Sequence, residues 1–243
     1  RARVSDVWTL LRARARESGG APLVTYVDAR SGARTELSAT SMENAAAKIA
    51  NALRDAFELE PGDSAGLFLP VHWQRAAWCA GAWTAGVVVA PLAVDADVIV
   101  AGPDEATALD ATRDIAVVSL HPFGLPITDA LPAHAEDVTL VVRQQPDAYL
   151  FDPPGATDLA LRMSGDAPAI DQAELLQRAR ARGAEWGLEP GGRLLVDESL
   201  DGIDAWLAVL AVPLACRASV VLVSGDASSV ATQERVTAIA TAQ

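Results

Sequence analysis

The scarcest reactive side chains in this 243-residue sequence are two cysteines, three histidines and a single lysine, Lys48. His121 sits in Val118-Ser-Leu-His-Pro-Phe-Gly124, directly after an apolar run with strand character. Ligands in α/β sheets gather at the carboxyl ends of strands, so Ser119 and His121 form the best candidate pocket. The plain reading is a turn stabilised by His-Pro. His72, in Pro70-Val-His-Trp73, opens an apolar helix. A helix amino terminus lowers an imidazole's proton affinity and aims the ring at a ligand, although capping and packing serve equally well there. Asp197, Glu198, Asp201 and Asp204 have the chemistry of a divalent-ion site, or of a helix start complemented by carboxylates. Asp95 and Asp97 form a second acidic turn without a His or Cys beside it. Cys79 and Cys216 lie in apolar surroundings and read as small buried hydrophobes of a reducing cytoplasm. The Trp73, Trp78 and Trp83 spacing scatters the indoles around one helix, which favours packing. No G-x-S-x-G, metal-ligand cluster, complete Rossmann fingerprint or P-loop occurs.

These residues need a frame. With 51% hydrophobic and 21% charged residues, the chain can bury a core without disulfide or metal staples. Its 19 basic and 32 acidic residues give a net charge of −13, which disfavours nucleic acid and anionic membrane as partners. The longest apolar stretch, 76–92, is too short and too rich in Gly and Ala for a membrane span; it reads as a buried helix entering a buried strand.

A docking helix carries Val4, Val7, Trp8 and Leu11, and a hairpin follows over 23–37. Ser38 or Thr40 caps the next helix, whose stripe runs Met42, Ala45, Ile49, Leu53 and Phe57 until Pro61-Gly62. Strands are expected at 65–69, 87–90, 98–101, 115–119, 138–143, 159–163, 194–196 and 220–223. Helices are expected from Trp73 to Gly86, near 104–109, from Asp171 to Trp186, from Asp201 through Leu210, and from Ser228. This alternation predicts an α/β fold with mostly parallel sheets flanked by helices. Residues 144–158, with three prolines and a glycine, are the linker candidate.

Leu59-Glu-Pro-Gly62 recurs as Leu188-Glu-Pro-Gly191. Each copy follows an amphipathic helix and precedes a strand, a Trp-bearing helix and a strand. An internal duplication is the expectation, with a first α/β lobe over 1–150 and a pseudo-repeated second lobe over 151–243, packed side by side or as one compact unit.

Glu36-Leu-Ser38, Ala50-Asn-Ala-Leu53, Leu59-Glu-Pro-Gly-Asp63, Leu67-Phe-Leu-Pro70, Gly81-Ala-Trp-Thr-Ala-Gly86 and Ala90-Pro-Leu92 together resemble the N-terminal portion of the AMP-binding, acyl-adenylate-forming synthetases. The likeness is best over 22–92 and returns at Pro213-Leu214 and 220–223. It implies the two similar lobes of that family's N-terminal subdomains. It also implies a Gly- and Ser/Thr-rich phosphate loop ending in Pro-Lys-Gly, where this chain reads Leu161-Arg-Met-Ser-Gly-Asp-Ala-Pro-Ala-Ile170. Ser164 and Gly165 match the start of that loop and Pro168 its end. The second glycine, the threonines and the lysine are missing, and Asp166 adds negative charge where phosphates would sit. The family's Y-G-x-T-E segment is absent too. Where Arg217 stands, the family often has Gly.

The expectation is therefore a cytoplasmic, non-catalytic scaffold acting as a small-molecule or protein interaction module, with no cofactor. Its tentative pocket is Ser119, His121, His72, Ser164 and Gly165. Its partners would be a second copy, a full-length synthetase relative, or a small acyl or aromatic ligand. The alternatives are a ligase completed by a partner chain, or a diverged enzyme built on the His121 region.

Overall fold

A computed structural model describes residues 6–109, 113–164 and 168–242. Val4, Gly165 and Asp166 lie outside the described residues. In chain order the elements are α1 (Val7–Ser18), β1 (Pro22–Asp28), β2 (Arg34–Ser38), α2 (Ala39–Asn51, continued by a π-helical turn, Ala52–Ala56), β3 (Ser64–Phe68), α3 (Trp73–Ala85), β4 (Val88–Pro91), β5 (Val98–Ala101), α4 (Pro103–Ala108), β6 (Ile115–Val117), β7 (Ala135–Asp137) and α5 (Thr139–Arg143). Then follow β8 (Leu159–Leu161), β9 (Ile170–Asp171), α6 (Gln172–Glu185), β10 (Arg193–Asp197), α7 (Asp204–Leu207), α8 (Ala211–Ala215), β11 (Ser219–Ser224), α9 (Val230–Gln233) and β12 (Ala238–Ile239).

The strands form a five-stranded sheet ordered β12-β10-β11-β1-β2 and a seven-stranded sheet ordered β7-β6-β5-β3-β4-β8-β9. Pairing is parallel except within the hairpins β1–β2 and β8–β9. Alternation of side chains along each strand sorts the apolar residues into layers. Leu194, Val196, Val220 and Leu222 join Val89 and Val100 of the other sheet in one central core with α2, α3, α6 and α8. Leu195, Val221 and Val223 point the other way, onto Val230 of α9. Ile99, Ala101, Ile115 and Val117 face outward onto Ala106 of α4. The result is an α/β fold of two helix-flanked, mostly parallel sheets around a shared helical layer. Within that layer α2 and α3 cross closely at Gly81, where a Cβ would come within 2.4 Å of the Ile49 Cγ2.

The two Leu-Glu-Pro-Gly turns are built alike. Gly62 N–H donates to the Gly86 carbonyl and Gly191 N–H to the Arg217 carbonyl, both at 2.9 Å. Val87 donates to Ala82 and Ala218 to Pro213, at 2.9 and 2.8 Å. Around them lie two copies of hairpin, capped helix, turn, strand, helix, strand. Ser38 caps α2 by accepting from Ser41 N–H, and Asp171 caps α6 by accepting from Glu174 N–H. Each hairpin pairs with the other copy's sheet: β1 with β11, and β8 with β4. The sheets do not follow a cut at residue 150, because each contains strands from both sides of it.

Two expected elements differ. In the run 138–143, expected as a strand, Thr139–Arg143 form the short helix α5, and the strand lies just before it at β7. The Asp137 carboxylate accepts from Thr139 N–H at 2.8 Å and turns the chain into a helix. The helix expected from Asp201 through Leu210 is shortened to α7, and α8 begins only after Leu210. Pro213 has no N–H to give the Val209 carbonyl, and Leu210 leaves helical geometry with φ −153°. The expected linker is held in place: Lys48 Nζ donates to the carbonyls of Arg143 and Gln145, and the buried Asn51 amide bonds Pro146, Ala148 and Leu150.

Candidate functional site

His72 is the cap of α3, its Nδ1 accepting from Gln74 N–H at 3.1 Å. The ring is 2% exposed and packed edge-on to Tyr26, with centroids 4.3 Å apart. Burial pulls its pKa down to about 4, so the imidazole is neutral; the backbone of Leu120 opposes this only weakly. Ser119 is buried beyond the end of β6. Its carbonyl accepts from the Gln74 amide at 3.2 Å, and its hydroxyl from His121 N–H at 3.2 Å. His121 Nδ1 in turn accepts from Phe123 N–H at 3.1 Å, and Thr35 Oγ1 donates to the Pro122 carbonyl. His72, Ser119 and His121 thus converge at one end of the seven-stranded sheet, each hydrogen-bonded to a backbone group or a neighbouring amide.

Ser164 does not join them. It is exposed beyond β8 and has no hydrogen-bond partner among the described residues. From β6 to β8 there are four inter-strand steps, about 19 Å. Gly165 lies outside the described residues. The acidic candidates are dispersed as well. Glu198 accepts from Ser224 Oγ at 2.8 Å and pairs with Arg30, which together lower its pKa. Asp204 pairs with Arg182, Asp197 accepts from Ser199, and Asp97 is held low by the Ser64 hydroxyl and N–H. Among the described residues no group of three or more His, Cys, Asp or Glu is placed to hold a metal. Burial pushes the Cys79 thiol up to about 12 and also raises Cys216, which makes both poor nucleophiles at neutral pH. Lys48 is committed to its two carbonyls and to Asp147 at 3.1 Å.

The three convergent residues stand directly behind the wall of a cavity of about 250 Å³ between α2, α3, α5 and the 123–124 loop. Trp73, Gln74, Trp78, Val118, Phe123 and Val142 line it, with Lys48 and Arg143 among the lining as well. His72 sets the start of the helix carrying Trp73 and Gln74, Ser119 anchors Gln74, and His121 fixes Phe123. Sequence reasoning found the supports and missed the wall. The available signal was the pair of helix-borne tryptophans next to an aromatic in a Gly-containing turn. A larger opening, about 620 Å³ and lined by Asp97, Arg113 and His134 among others, lies at the opposite, amino ends of β5 and β6. Among the described residues no helix is long and apolar enough to cross a membrane.

No family model matches the sequence. A TIGR03089 family protein of Mycobacterium tuberculosis (strain ATCC 25618 / H37Rv) is 34% identical over 210 residues, which are 84% of this chain and 83% of that protein. Among solved structures, the Brucella canis acyl-CoA synthetase superposes with a TM-score of 0.76 at 18% identity, covering 97% of this chain and 47% of its own. The N-terminal domain of FACL13 from Mycobacterium tuberculosis gives 0.68 at 21% identity, covering 96% and 61%. At such identities the likeness is one of fold, and the chain spans less than two thirds of either structure. It is the fold of the N-terminal part of acyl-adenylate-forming enzymes, as the scattered sequence motifs implied.

Proposed function

This chain belongs to the TIGR03089 family, and from that membership and its synthetase-like frame we propose that it is a non-catalytic small-molecule-binding scaffold. The observation that carries this reading is how its scarce reactive side chains are used. His72, Ser119, His121 and Lys48 each commit a polar atom to a backbone group, and the remaining His72 nitrogen, Nε2, is buried without a partner and closed off from solvent. The residues between β8 and β9 add to it, because they lack the lysine and threonines of a phosphate loop. Isothermal titration with ATP·Mg tests the reading. No heat of binding is expected through the millimolar range, and micromolar affinity would sink the proposal.

One observation favours a second reading. The frame superposes on the Brucella canis acyl-CoA synthetase with a TM-score of 0.76, and a ligase that works with a partner chain would use the same frame. Pyrophosphate exchange across a panel of carboxylic acids, with and without separately encoded partners, decides between the two. Exchange that appears only with a partner establishes the second.

A further inference from the structure

We infer that the outward face at the carboxyl ends of β3, β4 and β8 is a self-association surface, where a second copy of this chain docks about a two-fold axis through Leu92 and Val94. The connection between β4 and β5 creates it. These parallel strands flank β3 on opposite sides, yet residues 92–97 alone join them. A parallel crossover ordinarily takes a dozen or more residues and lays a helix over the sheet. Here turns without a helix cross β3, so closely that a Cβ on Gly66 would come within 2.1 Å of the Ala93 carbonyl oxygen. Ala96 packs down onto the same point and is buried, while Leu92 and Val94 are 64% and 57% exposed. Leu92 carries a second cost besides exposure. Its φ of 57° is left-handed, a conformation that glycine takes freely and an L side chain does not. Packing within the chain offsets little of either cost, whereas burial against another apolar surface would.

Charge identifies the occupant. Val89 and Leu161 are paired and face the central core, so by alternation Ala90, Leu92 and Arg162 lie on the outward side. Arg162 N–H donates to the Val89 carbonyl at 2.9 Å, which sets Arg162 beside the end of β4. The strand order β3-β4-β8 then puts Asp95, over β3, on one flank of the apolar pair and Arg162 on the other. Both are exposed, and neither has an ion-pair partner among the described residues. A two-fold axis through the pair exchanges the flanks. Asp95 of each copy then meets Arg162 of the other, while Leu92 and Val94 cover their own counterparts. A uniformly acidic partner would oppose Asp95 and a uniformly basic one Arg162; the chain's own surface matches both. So few contacts make a small interface of the transient class, with a dissociation constant on the order of 10–100 μM.

Sedimentation velocity on the intact protein, from about 5 to about 500 μM, tests the surface. The expected result is a concentration-dependent shift from the 25.3 kDa monomer to twice that mass. Leu92→Gly should weaken association about tenfold while raising the urea midpoint, because it removes the contact and relaxes the backbone together. Asp95→Arg and Arg162→Asp should each weaken it about tenfold. The double variant should return to within about threefold of the wild type, since the exchanged charges pair again. All three positions are exposed, and circular dichroism checks that each variant keeps its fold. A chain still monomeric at about 500 μM overturns the proposal. So does a dimer that Leu92→Gly leaves unweakened, which would place the contact on another face. A double variant that stays as weak as the single ones also overturns it, because Asp95 and Arg162 would then not meet across the axis.

Discussion

At His72 the physics of one side chain can be followed from cause to measurable consequence. The imidazole accepts from Gln74 N–H, stacks beside Tyr26 and Trp73, and is almost wholly removed from water. Burial penalises the charged ring, so the folded-state pKa is about 4 against an ordinary value of 6.5. Between these two values the unfolded chain takes a proton that the folded one refuses. Stability therefore falls as pH drops from 6.5 toward 4, by up to about 3 kcal/mol from this group alone. His72→Asn keeps a good capping acceptor and removes the titration. Urea melts across that window should show the wild type losing about 3 kcal/mol more than the variant; parallel pH profiles would refute a neutral, buried imidazole. The sequence placed His72 at a helix start and anticipated a depressed pKa from the helix terminus. The actual cause is burial against Tyr26, a residue far away in sequence on another sheet, which no local pattern contains.

Among the elements, the two Leu-Glu-Pro-Gly turns offer a comparison inside one molecule. Each lies against the end of a helix whose terminal residue adopts left-handed geometry: Gly86 at φ 74° in the first copy, Arg217 at φ 56° in the second. A side chain in that conformation costs about 1 kcal/mol, and glycine relieves it. The exposed Arg217–Glu17 ion pair offsets little of that strain. Arg217→Gly should raise unfolding stability by about 1 kcal/mol, and Gly86→Ala should lower it by at least as much. Gly86→Ala also crowds Pro61, whose Cβ lies 3.1 Å from the added methyl. Urea midpoints at unchanged m-value measure both; a destabilised Arg217→Gly would mean the arginine side chain does more than the strain costs. Elements marked by their own punctuation were legible in the sequence. Ser38, Gly86 and Asp171 ended or began helices where their chemistry dictates. The 138–143 run was not, because a short apolar stretch carries no period to separate strand from helix, and the deciding Asp137 bond is a side-chain choice. The break between α7 and α8 was available in Pro213 and was outweighed by the apolar spacing of Trp206, Leu207 and Leu210.

For the whole molecule the exchanged hairpins matter most. The repeat was expected from two tetrapeptides and the shared order of elements around them, and neither says which sheet each hairpin joins. In the fold, β1 lies along β11 with five paired positions from Val24–Val220 to Asp28–Ser224, and β8 lies along β4. Further bonds cross between the copies: Trp83 Nε1 to the Ala160 carbonyl, Gln172 Nε2 to the Trp83 carbonyl, and Val7 N–H to Gln172 Oε1. These polar atoms are buried, so separating the halves strips their partners and exposes the central core at once. We therefore propose that 1–150 and 151–243 are repeats but not independent folding units. Expressed apart, neither half should give a cooperative thermal transition, since each lacks a strand neighbour for its own central βαβ unit. Mixed in equal amounts, they should regain near-UV circular dichroism and a single transition below that of the intact chain, because joining two chains adds an association cost the covalent link avoids. A cooperative transition from 1–150 alone would show that the first repeat closes its sheet without the second copy's hairpin. The cavity between α2, α3 and α5 would then belong to a self-sufficient lobe. If instead the reassembled pair alone restores the Trp73 environment, the site depends on the exchange even though every residue lining it comes from the first repeat.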